Sequence, residues 1–81
     1  MKVESKSSNI ESFEFLDPNP TTRFGCLKVR FRNGGVYRYQ HVPEEVFHAM
    51  RQAESHGKFL ASCIKGRYQF VKEPKNDLPT L

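Results

Sequence analysis

The chain has 81 residues, enough for one small domain, because typical domains hold about 100–150 residues. It carries 13 Lys and Arg against nine Asp and Glu, a net charge of +4. Residues 23–72 hold ten of the basic residues and three glutamates, so a net charge of +7 lies between two mildly acidic ends. The length excludes a multidomain enzyme, and the basic middle segment favours an anionic partner.

Cysteine content and hydropathy indicate the compartment. Cys26 and Cys63 are too few for a disulfide framework, and no stretch approaches the roughly 18 apolar residues of a membrane helix. The first twelve residues, MKVESKSSNIES, lack the apolar run of a signal peptide. We therefore expect a cytoplasmic protein with reduced thiols and no membrane association.

The first strand signal lies in residues 10–16, IESFEFL. Phe13 and Phe15 alternate with Glu14, which is the pattern of a strand with one buried face. The sequence DPNP follows at residues 17–20 and favours a turn, so we expect the strand to end there.

A hairpin is predicted next. Residues 26–32, CLKVRFR, alternate apolar and basic side chains, as a half-buried strand does. The Asn-Gly-Gly sequence at residues 33–35 tolerates the positive φ of a hairpin turn, and VYRYQ at residues 36–40 then forms the returning strand.

The length of the turn decides which face Tyr37 and Tyr39 occupy. A two-residue turn places both tyrosines on the face of the basic residues, whereas a three-residue turn with Gly35 left-handed pairs Phe31 with Tyr37. We favour the three-residue turn, because it gathers the large apolar side chains on one face. The opposite face then carries the basic side chains of Lys28, Arg30, Arg32 and Arg38.

Two helices and a short strand are predicted after the hairpin. Residues 42–45 suit a helix start, because proline is favoured at the first helical position and two glutamates complement the positive helix end. Apolar residues continue this helix to an expected stop at Gly57. Residues 58–65 predict a second helix that ends at Gly66, and residues 68–71 predict a short final strand.

These elements predict an α+β fold. It is a small two-layer sandwich, in which an antiparallel meander of three or four strands packs against two helices in the order β-β-β-α-α-β. We expect a flexible N-terminus at residues 1–7, a single domain at residues 8–72 and a loose tail at residues 73–81.

No residue pattern supports catalysis or cofactor binding. The three histidines and two cysteines lack the paired close spacing of zinc modules, and no P-loop or dinucleotide motif is present. Cys63 lies in the apolar stripe of a predicted helix without an identifiable partner base. We therefore expect that the protein is not an enzyme and has neither a metal nor another cofactor.

A set of short motifs in a fixed order resembles the KTSC domain. The matching residues are Ser8-Asn9-Ile10, Leu27, Val29, Phe31, Tyr37-Arg38-Tyr39, Val42-Pro43-Glu44, Ser55-His56-Gly57-Lys58-Phe59, Ile64 and Tyr68. The resemblance covers about residues 7–71. It implies a small bacterial or phage domain, in a family named for the C-terminal region of some lysyl-tRNA synthetases. RNA binding has been proposed for that family from this association, and the resemblance supplies no catalytic residues.

Charge and resemblance together favour a non-catalytic domain that binds RNA, or nucleic acid generally, through the basic sheet face. The residues expected to contact phosphates are Lys28, Arg30, Arg32, Arg38, Lys65, Arg67 and Lys72. A purely solubilising role for these charges is the simplest alternative. A protein-protein interaction adaptor, which accepts a partner strand at an exposed sheet edge, is the alternative function. A monomer is assumed in both cases.

Overall fold

The computed structural model describes residues 1–73, so most of the tail predicted at residues 73–81 lies outside the described residues. The elements in chain order are β1 (Lys2–Glu4), β2 (Ile10–Leu16), β3 (Phe24–Phe31), β4 (Val36–Pro43), α1 (Glu44–Gln52), α2 (His56–Phe59), a π-helical turn (Leu60–Ile64) and β5 (Phe70–Glu73). The strands form one antiparallel sheet in the order β1-β2-β3-β4-β5, and the helices pack on one of its faces. The predicted α+β fold is confirmed, with five strands where three or four were expected.

The additional strand, β1, lies in the segment for which the sequence predicts a flexible N-terminus. It pairs with β2, so that Val3 lies opposite Phe13. The guanidinium of Arg32 donates to the backbone carbonyl oxygens of Ser7 and Ser5, at 2.8 and 2.7 Å respectively. The sequence did not predict this strand, because it is too short to show an alternating pattern and its contacts are with residues distant in sequence.

The segment after β1 also contacts α2. The Oγ atom of Ser5 lies 2.7 Å from Nδ1 of His56, and the His56 ring packs edge-on against Phe13. A Cβ atom at Gly57 would lie 3.2 Å from the Ser7 hydroxyl oxygen, so the glycine permits this close approach. The Ser-His-Gly motif at residues 55–57 therefore joins α2 to the N-terminal part of the chain.

The β3–β4 hairpin has the predicted three-residue turn, one position earlier than expected. The Phe31 N–H donates to the Gly35 carbonyl at 2.8 Å, and the left-handed residue is Gly34, with φ of 96°. Val29 consequently lies opposite Tyr37, so the predicted pairing of Phe31 with Tyr37 is wrong. The predicted faces of the paired residues are right, because a shift of two residues restores the alternation of side chains. Arg32, which was expected on the basic face, lies instead in the turn.

The helices differ from the predicted bounds at their ends. Pro43 is the residue before α1 rather than its first residue, and α1 ends at Gln52, before the expected stop at Gly57. The Lys65 N–H donates to the Leu60 carbonyl at 2.9 Å, which closes the π-helical turn, and the left-handed Gly66 follows as expected. The helices bury Phe47, Met50, Leu60 and Ile64 against the sheet side chains Ile10, Phe13, Phe15, Leu27, Val29, Tyr39 and Val42.

We predict that Gly34→Ala lowers the free energy of unfolding by about 1 kcal/mol, because a side chain at positive φ is strained there. Gly34→Asn is the matched control and should lose less, since asparagine tolerates left-handed backbone better than alanine. Urea unfolding followed by circular dichroism measures both variants. Equal stability of Gly34→Ala and the native protein would show that the turn does not require a left-handed residue.

Candidate functional site

Paired residues form rows across the five strands, and the side chains of one row share a face. On the helix side, one row is Val3, Phe13, Val29, Tyr37 and Lys72, and the next contains Phe15, Leu27, Tyr39 and Phe70. We call the opposite side of the sheet the open face. One of its rows is Lys2, Glu14, Lys28, Arg38 and Val71, and the next row is Glu4, Ser12, Arg30, Val36 and Glu73.

Charges of both signs occupy the open face. Its two rows hold four basic residues and three glutamates, and Glu14 lies between two lysines in its row. Glu73 binds the Arg38 guanidinium and lies 3.8 Å from the Lys28 ammonium. The hydrogen bond from Arg38 lowers the pKa of Glu73, which favours its charged form. The open face is therefore not the basic surface that the sequence predicts, because glutamates lie among its lysines and arginines.

The helix side is not covered uniformly. Tyr39 is buried, with 2% of its surface exposed, whereas Tyr37 is half-buried and Phe70 is 53% exposed. The Phe70 ring centroid lies 5.1 Å from that of Tyr37 and 5.7 Å from that of Tyr39. Phe31 packs edge-on against Tyr37 at 5.3 Å. This end of the sheet thus presents the Phe70 ring to solvent beside two half-buried rings, and we call Phe31, Tyr37 and Phe70 the aromatic patch.

A cavity of about 280 Å³ lies beside the aromatic patch. We call this cavity the groove; it is lined by Phe31, Asn33, Gly35, Tyr37, Tyr39, Lys65 and Lys72. Apart from the two tyrosines, the ionisable residues in this lining are Lys65 and Lys72. The ammonium of Lys72 lies 5.8 Å from the centre of the Tyr37 ring, within the range of a cation–π interaction.

The groove adjoins a second cavity of about 310 Å³. The two share Phe31, Asn33 and Lys65, and the second one adds Arg32, whose guanidinium donates to two backbone carbonyls. Arg67 lines a further cavity together with Phe70.

The seven basic residues predicted as phosphate contacts are therefore divided between the two sides of the sheet. Lys28, Arg30 and Arg38 lie in the rows of the open face. Arg32, Lys65 and Lys72 line the two adjoining cavities, and Arg67 lines a cavity together with Phe70.

The aromatic patch was not part of the predicted site. The usable sequence signal was the alternation in residues 70–73, FVKE, which sends Phe70 and Lys72 to the same side of an edge strand. Two short helices cannot cover five strands, so the inward residues of that edge strand remain accessible.

Neither cysteine has the surroundings of a nucleophile. Burial raises the pKa of the Cys26 thiol, which lowers its thiolate fraction, and Cys63 packs against the core. Within residues 1–73, no three His, Cys, Asp or Glu side chains come together in a way that would bind a metal ion. None of the helices in that part of the chain has the length and apolarity to span a bilayer.

The architecture, a five-stranded antiparallel meander with helices on one face, defines a class of small α+β domains. The KTSC domain family matches residues 6–68. The chain therefore belongs to the KTSC domain family.

Individual relatives agree with this assignment. A KTSC domain protein from Yersinia pestis, solved by crystallography, is 31% identical and superposes with a TM-score of 0.76 over 91% of this chain and 97% of its own. An uncharacterized protein from Stutzerimonas stutzeri is 33% identical over 83% of this chain and 87% of its own length. A protein from Tsukamurella paurometabola is 42% identical over 56% of this chain and 67% of its own. None of these names describes a catalytic activity.

We predict that Glu73 makes stability depend on acid pH. Its pKa is lowered from 4.5 by Arg38, so its stabilising effect is present above pH 4.5 and is lost as the pH falls through the lowered value. Glu73→Gln should therefore be less stable than the native protein near neutral pH, and the difference should disappear in acid. Urea unfolding over a pH series measures this, with the exposed Glu54→Gln as the control. A difference that persists unchanged at low pH would contradict the assignment.

Proposed function

We propose that this protein is a non-catalytic domain that binds RNA through the groove and the aromatic patch. One observation carries the proposal. Lys65 and Lys72 line a groove beside the exposed ring of Phe70 and the half-buried ring of Tyr37, and that groove has no carboxylate in its described lining. Lysine ammonium groups neutralise phosphates and release counterions, and aromatic rings accept the faces of bases.

Charge favours the groove over the open face. On the open face, Glu73 already binds Arg38 and lies close to Lys28, so a phosphate there would compete with a carboxylate that is held in its charged form. In the groove, Lys72 contacts only the ring of Tyr37 among the interactions described. Its ammonium can therefore bind a phosphate without breaking an ion pair of residues 1–73.

Strand addition by a protein partner has less support. The edge strands of the described sheet are β1, of three residues, and β5, of four residues. Edges of this length offer few hydrogen bonds to an added strand. The adaptor alternative is therefore not the function that the geometry favours.

We predict that Lys65→Ala/Lys72→Ala weakens RNA binding and flattens its salt dependence. Each phosphate contact to a single strand contributes about 0.7 to the slope of log K against log salt, so the double variant should lose about 1.4. Fluorescence anisotropy with a labelled mixed-sequence RNA, titrated at several salt concentrations, measures affinity and slope together. A DNA oligonucleotide of the same sequence shows whether RNA is preferred.

Lys28→Ala/Arg30→Ala is the matched control, since it removes the same charge from the open face. Its salt slope should equal that of the native protein. A loss of slope in this control with no loss in the groove variant would instead assign binding to the open face. No binding of the native protein to RNA at low salt would refute the proposed function.

A further inference from the structure

The Phe70 side chain is exposed to solvent, although burial would be favoured for so large an apolar ring. It is 53% exposed, yet its ring packs on one side against Tyr37 and Tyr39, with centroids at 5.1 and 5.7 Å. The sheet thus holds the ring in place while much of its surface contacts water. A held and exposed aromatic ring is a suitable stacking platform, because binding there costs little ordering of the side chain.

The surroundings of Phe70 are cationic. Lys72 lies two residues further along the same face of β5, and its ammonium is near the Tyr37 ring. Arg67 and Phe70 line one cavity, and Lys65 lines the groove beside the patch. A ligand that places a flat aromatic group on Phe70 therefore meets positive charge in the cavities around it, which suits an anion.

The two adjoining cavities extend this proposed surface away from the patch. From Lys72 the groove leads through Lys65 to Arg32 in the second cavity, and Phe31 and Asn33 line both. Three cations thus follow one path that begins beside the aromatic patch. A chain with regularly spaced negative charges and flat side groups fits this order of contacts.

Resting on the proposed function, we infer that the ligand is an unpaired strand segment with a base stacked on Phe70 and its phosphates along Lys72, Lys65 and Arg32. Duplex nucleic acid fits poorly, because its bases already stack on one another and their faces are not available to a protein ring. The inferred site is therefore selective for single strands and tolerant of base sequence, since every base has an aromatic face.

Tryptophan fluorescence tests the stacking directly, because the chain contains no tryptophan. Phe70→Trp introduces a single reporter at the patch, and a stacked base should quench it. Val71→Trp is the matched control, since Val71 is 57% exposed on the neighbouring position of β5 and belongs to the open face. The probes are an oligouridylate of about eight nucleotides, a blunt RNA duplex and inorganic polyphosphate.

The expected result is quenching of Phe70→Trp by the oligouridylate, with little effect of the duplex or polyphosphate and none on Val71→Trp. Phe70→Ala should weaken oligouridylate binding by about 5- to 150-fold, the range for loss of one stacked base, while Val71→Ala leaves it unchanged. This second variant keeps the test decisive if Phe70→Trp does not fold, as judged by circular dichroism.

These experiments distinguish a failure of the stacking inference from a failure of the proposed RNA binding. Binding of the oligouridylate without quenching, and without loss in Phe70→Ala, would overturn the stacking inference and leave RNA binding intact. Equal affinity for duplex and single strand would overturn the selectivity. Absence of binding to every RNA probe would refute the proposed function itself, and with it the inference.

Discussion

The register in which β4 pairs with β3 determines which side chains of β4 lie on the helix side of the sheet and which lie on the open face. Their turn, closed by Phe31 and Gly35 with Gly34 left-handed, pairs Val29 with Tyr37. A shift of one residue would exchange the two faces and send the tyrosines to the open side. The buried environment of Tyr39 opposes that shift, because the shift would place the apolar surface of this ring in water.

This register also determines the proposed binding surface through β5, which pairs with β4. Tyr37 and Tyr39 lie opposite Lys72 and Phe70, so all four side chains lie on the helix side of the sheet. α1, α2 and the π-helical turn bury Tyr39 and leave Phe70 exposed. The same pairing sends Glu73 to the open face, where it binds Arg38. One pairing thus places Lys72 beside aromatic rings on one side of the sheet and Glu73 beside basic residues on the other.

The sequence predicted local features well and the sheet edges poorly. Residues 10–16 were predicted as a strand to the residue, and the turn length and the faces of the hairpin were right, because alternation and glycine positions are local signals. The strand β1 was missed, since it is held by contacts with Phe13 and by Arg32 bonds to the following loop. Glu73 was placed in a tail, so its neutralising role on the open face was not foreseen. Charge alternation within one strand cannot show what a neighbouring strand contributes.

The claim that RNA binds on the helix side of the β4–β5 edge is tested most directly by nuclear Overhauser effects in the complex with an oligouridylate. Phe70 and Val71 are adjacent in β5 and belong to opposite sides of the sheet, so they distinguish the two surfaces within one strand. RNA bound on the helix side should give intermolecular contacts between the uracil protons and the ring protons of Phe70 and Tyr37. Contacts to the Val71 methyl groups, with none to the Phe70 ring, would contradict it.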